Sequence, residues 1–342
     1  CMNVPKRVGF IGGKFSPIHN GHVYAMTVAS CMVDELHVIV CYDEESEKKQ
    51  LHDNSKIPYI HHTQRARWWK EITKHLPHVH VHMVYNKNTM KIADWQQGAT
   101  DIKKVIGKTI THVFSSEESY TAFFNKLYPE AQHIVVDGQK ERFPISSSRL
   151  RAEGVYEHWD MLPRVVQRYF IKKVVVVGSE SCGKSTLVQN LALLYNTNFV
   201  EEHGRSYYEE IGDFDTFYQE DFNKIAYRQK YFEEVELKHA NKVLFCDTEA
   251  LVTNRFHKEF FGTDSDLLRE IACEQQYDLW LFLQDDVPFI DDGTRGYVND
   301  QHYSTQLLKD SLDEHRIPYV IVKGSYEERL LIAMEKVDEL LE

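Results

Sequence analysis

Residues 178–185 read Gly-Ser-Glu-Ser-Cys-Gly-Lys-Ser, the pattern G-x-x-x-x-G-K-[ST], set between a β-branched run at 174–177 and an apolar-periodic stretch at 186–194. This pattern needs a strand that turns through glycines into a helix, because the turn amides and the helix N-terminus together cradle phosphate. In that cradle Lys184 reaches β- and γ-oxygens and the Ser185 hydroxyl binds Mg²⁺, while Gly178, Glu180, Ser181, Gly183 and Thr186 line the nucleotide. The run Val-Leu-Phe-Cys-Asp at 243–247 is an apolar strand ending in a carboxylate, and Asp247 takes the other metal position.

Glu201 and Glu202 end a short strand at 198–201, facing the loop. Glu202 is the candidate to accept the proton of an attacking hydroxyl, and Arg205 is a candidate substrate contact. Asp-Asp-Gly-Thr-Arg at 291–295 follows a strand at 279–283 on a polar loop and reads as a lid carrying Arg295 toward the γ-phosphate.

The first half repeats the strand-turn-helix plan. A strand at 8–12 leads into Gly13, Lys14, Phe15, Ser16, Pro17, Ile18, His19, Asn20, Gly21 and His22, then an apolar-periodic stretch at 23–32. The reading is that His22 opens a helix whose N-terminus favours an anion, and that Gly12, Gly13 and Gly21 let phosphate approach the backbone beside Phe15. His19 and His22, three apart, share a face and aim at the same phosphates. Such a site suits nucleotidyl transfer, where positioning and electrostatics act without a covalent intermediate. Ile-Ser-Ser-Ser-Arg-Leu-Arg at 145–151 adds Ser146 and Ser147 at a helix start and Arg151 one turn on, an anion clamp. Ser115 and Glu117 follow a strand at its carboxyl edge, where an ATP ribose fits. Trp68, beside Trp69, is either a stacking surface for a flat aromatic ligand ring or an ordinary half-buried helix face.

Further short β-branched runs at 36–42, 80–85, 112–115, 133–136 and 319–322 alternate with longer amphipathic stretches. The expected fold is α/β, two doubly wound parallel-sheet domains at 1–168 and 169–342, joined by a packed helix within 151–173. Net charge is −12, which disfavours a nucleic-acid partner. The six cysteines show no C-x-x-C pair, and no apolar run approaches transmembrane length. A cytoplasmic protein without structural disulfides or a membrane partner is expected, and a homo-oligomer is compatible with the sequence.

The H-x-G-H and I-S-S-x-x-x-R segments resemble signatures of the nucleotidyltransferase superfamily that contains nicotinamide mononucleotide adenylyltransferases. That resemblance implies that His19, His22 and Lys14 contact ATP phosphates, with Arg151 and the serines completing the triphosphate site. Ser148 stands where that family usually has Thr. A Rossmann-like nucleotidyltransferase followed by a P-loop kinase is similar to the NadR family, through G-K-F-x-P-x-H-x-G-H, D-E-L-H-V-I-V, F-S-S-E, G-x-E-S-x-G-K-S, G-R-x-Y and D-D-G-x-R. The resemblance runs from Arg7 onward. It implies a form without the N-terminal helix-turn-helix repressor domain, using ATP and Mg²⁺ to phosphorylate nicotinamide riboside and to join nicotinamide mononucleotide to AMP, giving NAD. The rivals are a fused phosphopantetheine adenylyltransferase and dephospho-coenzyme A kinase, and a nucleotide-sensing regulator without turnover.

Overall fold

The structure, a computed structural model, describes residues 4–87, 89–213, 215–286 and 301–342. By its contacts the chain divides into two units, Cys1–Tyr169 and Phe170–Glu342.

The first unit holds a parallel sheet of β1 (Val8–Gly13), β2 (Glu35–Tyr42), β3 (Val79–Tyr85), β4 (His112–Ser115) and β5 (Gln132–Val135), in the order β3-β2-β1-β4-β5. Val38, Ile39 and Val40 of β2 are all fully buried, as a strand covered on both faces demands. On one face Phe10 and Ile39 pack with Ala99, Ile102 and Ile106 of the helix Ile92–Ile106. Parallel pairing aligns the strand ends, so the loops after β1 and β4 leave the same edge.

The second unit holds β6 (Lys172–Gly178), β7 (Phe199–Val200), β8 (Val243–Asp247), β9 (Leu279–Leu283) and β10 (Val320–Val322), again all parallel, in the order β10-β9-β6-β8-β7. Four consecutive valines, Val174–Val177, fill its centre with no exposure, and Val174 and Val176 pack with Leu187, Val188 and Leu191 of the helix Lys184–Leu194. Strands form within two residues of every expected place; the weakest, at 198–201, is reduced to the two-residue β7 at the sheet edge.

The connecting segment departs from expectation. Instead of one helix within 151–173 there are three pieces: Ser147–Glu153, a single 3₁₀ turn Trp159–Met161, and Arg164–Phe170. Gly154, at φ 95°, stops the first piece, and Pro163 stands immediately before the last, where a missing N–H costs no helical bond. Cys31, Cys41, Cys182, Cys246 and Cys273 are all free thiols, and no helix of the described residues is long and apolar enough to cross a membrane.

Candidate active sites

In the first unit the helix Asn20–Met32 begins two residues earlier than expected, with His19 as its N-cap. The His19 Nδ1 accepts from Gly21 N (3.1 Å) and His22 N (3.4 Å), and the His22 Nδ1 accepts from His19 N (3.1 Å). This is a capping box built from imidazoles. The first helix amides are therefore taken by His19 itself, so an anion here would meet histidine N–H groups before bare helix amides. Gly21 serves the same cap: a Cβ there would lie 2.9 Å from His19 Cε1, so the close approach of the ring itself calls for glycine.

Burial, reinforced by the Lys140 ammonium, lowers His19 to about 4. Burial, then His19 and Lys140, push His22 well below the usual histidine value. Both rings are neutral at pH 7, and with each Nδ1 accepting, each proton sits on Nε2. The rings stack with centroids 3.6 Å apart, which sets two Nε2–H donors side by side. A lowered imidazole pKa means that the unfolded chain binds more protons, so stability is full above the ordinary 6.5 and is lost as pH falls toward about 4. For the reaction we expect no histidine-type inflection: the adenylyl-transfer kcat should stay flat through about pH 6–7. A titration near 6.5 that vanishes in His19→Gln would show instead that a charged imidazole is the working form.

The loop carrying Lys14 is fastened from three directions. Arg151 donates to Ser16 O at 2.8 Å and Ser147 Oγ to Pro17 O at 2.9 Å, while Arg151 also reaches Ser148 Oγ at 3.3 Å. The 145–151 segment thus grips the loop directly, and Ser146 caps its own helix by accepting from Arg149 N. The third fastening had no motif to betray it. Arg65, fully buried, donates to Lys14 O at 2.6 Å and pairs with Glu47 at 2.8 Å, and Glu47 in turn accepts from Asp43 N. Glu47→Gln leaves the guanidinium buried without its counter-charge, so we expect about 3–5 kcal/mol lower stability of this unit. Denaturant titration reads it; a loss under about 1 kcal/mol would mean that the pair contributes little.

Two expected ligand contacts are corrected. Trp68 is 2% exposed and packs edge-on to Tyr169, with Trp69 fully buried beside it, so neither offers a stacking face. The helix face that carries them, with Arg65 and Ala66, runs deeper into the core than half-burial. Phe15 is 4% exposed, wedged edge-on between His22 and Trp69, and supports the loop from within. Gly12, exposed, and Gly13 lie at the end of β1 as read. Ser115 ends β4, its hydroxyl within 2.7 Å of His133 Nε2, and Glu117 carries an exposed carboxylate 3.8 Å from Lys140.

In the second unit the glycine loop leaves the central strand β6 and enters the helix Lys184–Leu194. Gly178 ends β6, Glu180, Ser181 and Gly183 lie on that loop, and Ser185 and Thr186 on the first helical turn. Lys184, 8% exposed, donates to Ser179 O at 2.9 Å. Burial alone would lower its pKa, but the field of Cys182, Glu202, Asp247 and Glu180 leaves it raised. Asp247, 2% exposed at the end of β8, accepts from Ser185 Oγ at 2.6 Å. Burial, then Glu202, lift it to about 6. A carboxylate and a hydroxyl at bonding distance are hard oxygen donors of the kind Mg²⁺ takes alongside phosphates and water, so these residues fit the metal.

Glu202 is the N-cap of the helix His203–Ile211 and its side chain makes no capping bond. Arg205 is exposed one turn into that helix. Arg295 and the rest of 291–295 lie outside the described residues. Sequence reading missed Arg329, 2% exposed, whose guanidinium bonds the Cys182 carbonyl of the loop, Gln284 O (2.8 Å), Gly324 O (3.0 Å) and the Asp286 carboxylate. Its partners lie 5 to 147 residues away, which no local pattern encodes.

Residues 10–153 match the Cytidylyltransferase-like family and residues 173–329 the AAA domain family. Two curated proteins called trifunctional NAD biosynthesis/regulator protein NadR, from Salmonella typhimurium and Escherichia coli, are each 30% identical over 346 residues, covering 98% of this chain and 84% of theirs. A crystal structure of NadR protein in complex with NAD and AMP-PNP superposes with TM-score 0.79 at 25% identity, covering 98% of this chain and 96% of that one. A second, in complex with NR, gives 0.79 at 26% identity, covering 99% and 97%. With such relatives at 30% identity over 98% of its length, and with a glycine-turn loop leaving the central strand of each of its two parallel sheets, this chain belongs to the NadR family.

Proposed function

We propose that the chain catalyses two ATP-dependent steps: phosphorylation of nicotinamide riboside to nicotinamide mononucleotide in the second unit, and adenylation of that mononucleotide to NAD and pyrophosphate in the first. The observation that carries this is membership of the NadR family with a glycine-turn loop on the central strand of each sheet, and solved relatives that hold NAD with AMP-PNP, and NR, support it.

For the kinase step, the riboside 5′-hydroxyl attacks the γ-phosphorus of ATP, its proton passes to Glu202, and ADP leaves. Lys184 neutralises charge on the β/γ oxygens. Ser185 and Asp247 would hold Mg²⁺, which when bound screens the phosphate charges. For the adenylyl step, a mononucleotide phosphate oxygen attacks the α-phosphorus of ATP, an O–P bond forms, and the bond to pyrophosphate breaks. The Nε2–H groups of His19 and His22 donate to the phosphate oxygens as negative charge builds, with Lys14 and the N–H groups of Arg151 on the departing pyrophosphate. Ser115 and Glu117 sit at the sheet edge where the ATP ribose would lie. Neutral donors suit this task because they stabilise charge without losing a proton. We assign the enzyme to the cytoplasm, where free thiols persist.

Incubation with nicotinamide riboside, ATP and Mg²⁺, followed by mass identification of products, tests the reading. Nicotinamide mononucleotide, NAD, ADP and pyrophosphate are expected; turnover of phosphopantetheine and dephospho-coenzyme A in their place would replace it with the rival reading.

A further inference from the structure

Gln229, 4% exposed on the helix Gln219–Leu237, uses its whole side-chain amide on backbone. Its Oε1 accepts from His203 N at 3.0 Å, and its Nε2 donates to Asp247 O at 3.3 Å and Thr248 O at 3.5 Å. The first contact is the peptide that follows Glu202; the other two are the end of β8. Two features of the backbone need such a partner. A helix N-terminus leaves its first amides without intrahelical acceptors, and here the Glu202 side chain does not cap. Thr248 has φ 69°, a left-handed conformation that a β-branched residue adopts only when its surroundings enforce it.

We propose that Gln229 is a positioning residue of the kinase centre: one amide sets the spacing between the peptide carrying Glu202 and the strand end carrying Asp247. This rests on the kinase reading above. By accepting from His203 N, Gln229 fixes the peptide that carries Glu202, and with no capping bond to its own helix the Glu202 carboxylate stays available to the attacking hydroxyl. By donating to the Asp247 and Thr248 carbonyls it holds the turn that aims the Asp247 side chain at Ser185. A primary amide presents a donor and an acceptor on one rigid group. An apolar side chain of equal volume would fill the space and leave both backbones free to shift, and displacement of about 1 Å costs on the order of 10²-fold in rate.

The test compares Gln229→Met and Gln229→Asn with the wild type in the full-length protein. For Gln229→Met we expect riboside-kinase kcat to fall by ~10–100-fold and the half-saturating Mg²⁺ concentration to rise, with the riboside KM within about threefold and adenylyl transfer unchanged. Gln229→Asn keeps both polar groups but is one methylene too short to span both backbones, so it should lie between, with at least ~3-fold loss at an unaltered melting temperature. If Gln229→Met does not fold, Gln229→Asn decides alone. Kinase kcat within about twofold of wild type in a folded variant, or a loss with no change in Mg²⁺ requirement, would overturn the positioning role. A wild type that phosphorylates no riboside overturns the kinase reading and this proposal with it, which keeps the two failures apart.

Discussion

Lys184→Ala is expected to abolish riboside phosphorylation and to leave adenylyl transfer to supplied nicotinamide mononucleotide at its wild-type rate. The ammonium is buried inside the glycine loop, held by Ser179 O, and kept charged by the acidic residues around it. Alanine removes the only lysine of the G-x-x-x-x-G-K-S loop from a site where transfer depends on fixed positive charge, so a loss of at least ~10²-fold follows. Stability should change little, because removing a buried charge also removes its desolvation cost. The first unit has its own sheet and its own loop. Assaying each step separately in the folded variant is decisive: a parallel fall in both activities would mean that the two sites do not work independently.

The second large effect lies on the other sheet. His22→Ala should lower adenylyl-transfer kcat by roughly 10²-fold, the scale of deleting one preorganised donor, with kinase activity untouched. Because the His22 Nδ1 also accepts from His19 N, the variant loses part of a helix cap worth ~1 kcal/mol as well. The two losses separate by temperature: a missing cap shows as a lower melting point, whereas a missing Nε2–H lowers kcat well below that melting point. An unchanged rate in a less stable protein would return His22 to a purely structural role.

What the sequence made legible was whatever is encoded locally. β-branched runs placed the strands because a doubly covered parallel strand tolerates little else, and the 178–185 pattern placed its loop because glycine spacing, lysine and hydroxyl lie within eight residues. The connecting segment was misread because apolar content alone said helix, while Gly154 and Pro163 cut it into pieces. Trp68 and Phe15 looked like ligand surfaces since an aromatic near a motif has the same appearance whether it faces solvent or core; only packing against Tyr169, Trp69 and His22 decides. Arg65 with Glu47, Gln229 and Arg329 were invisible for a different reason. Each acts on backbone atoms that only the fold brings near, and a backbone carbonyl has no letter in a sequence.

Each catalytic loop issues from a strand with hydrogen-bonded neighbours on both sides, β1 between β2 and β4, β6 between β8 and β9. Amide protons on those central strands can exchange with solvent only when a whole sheet opens, whereas the outer strands β3, β5, β7 and β10 can fray alone. Partial denaturation should therefore strip the margins of the first unit while its chemistry persists until deuterium reaches β1, whereas kinase activity should fail as soon as the edge strand β7, which leads into Glu202, lets go.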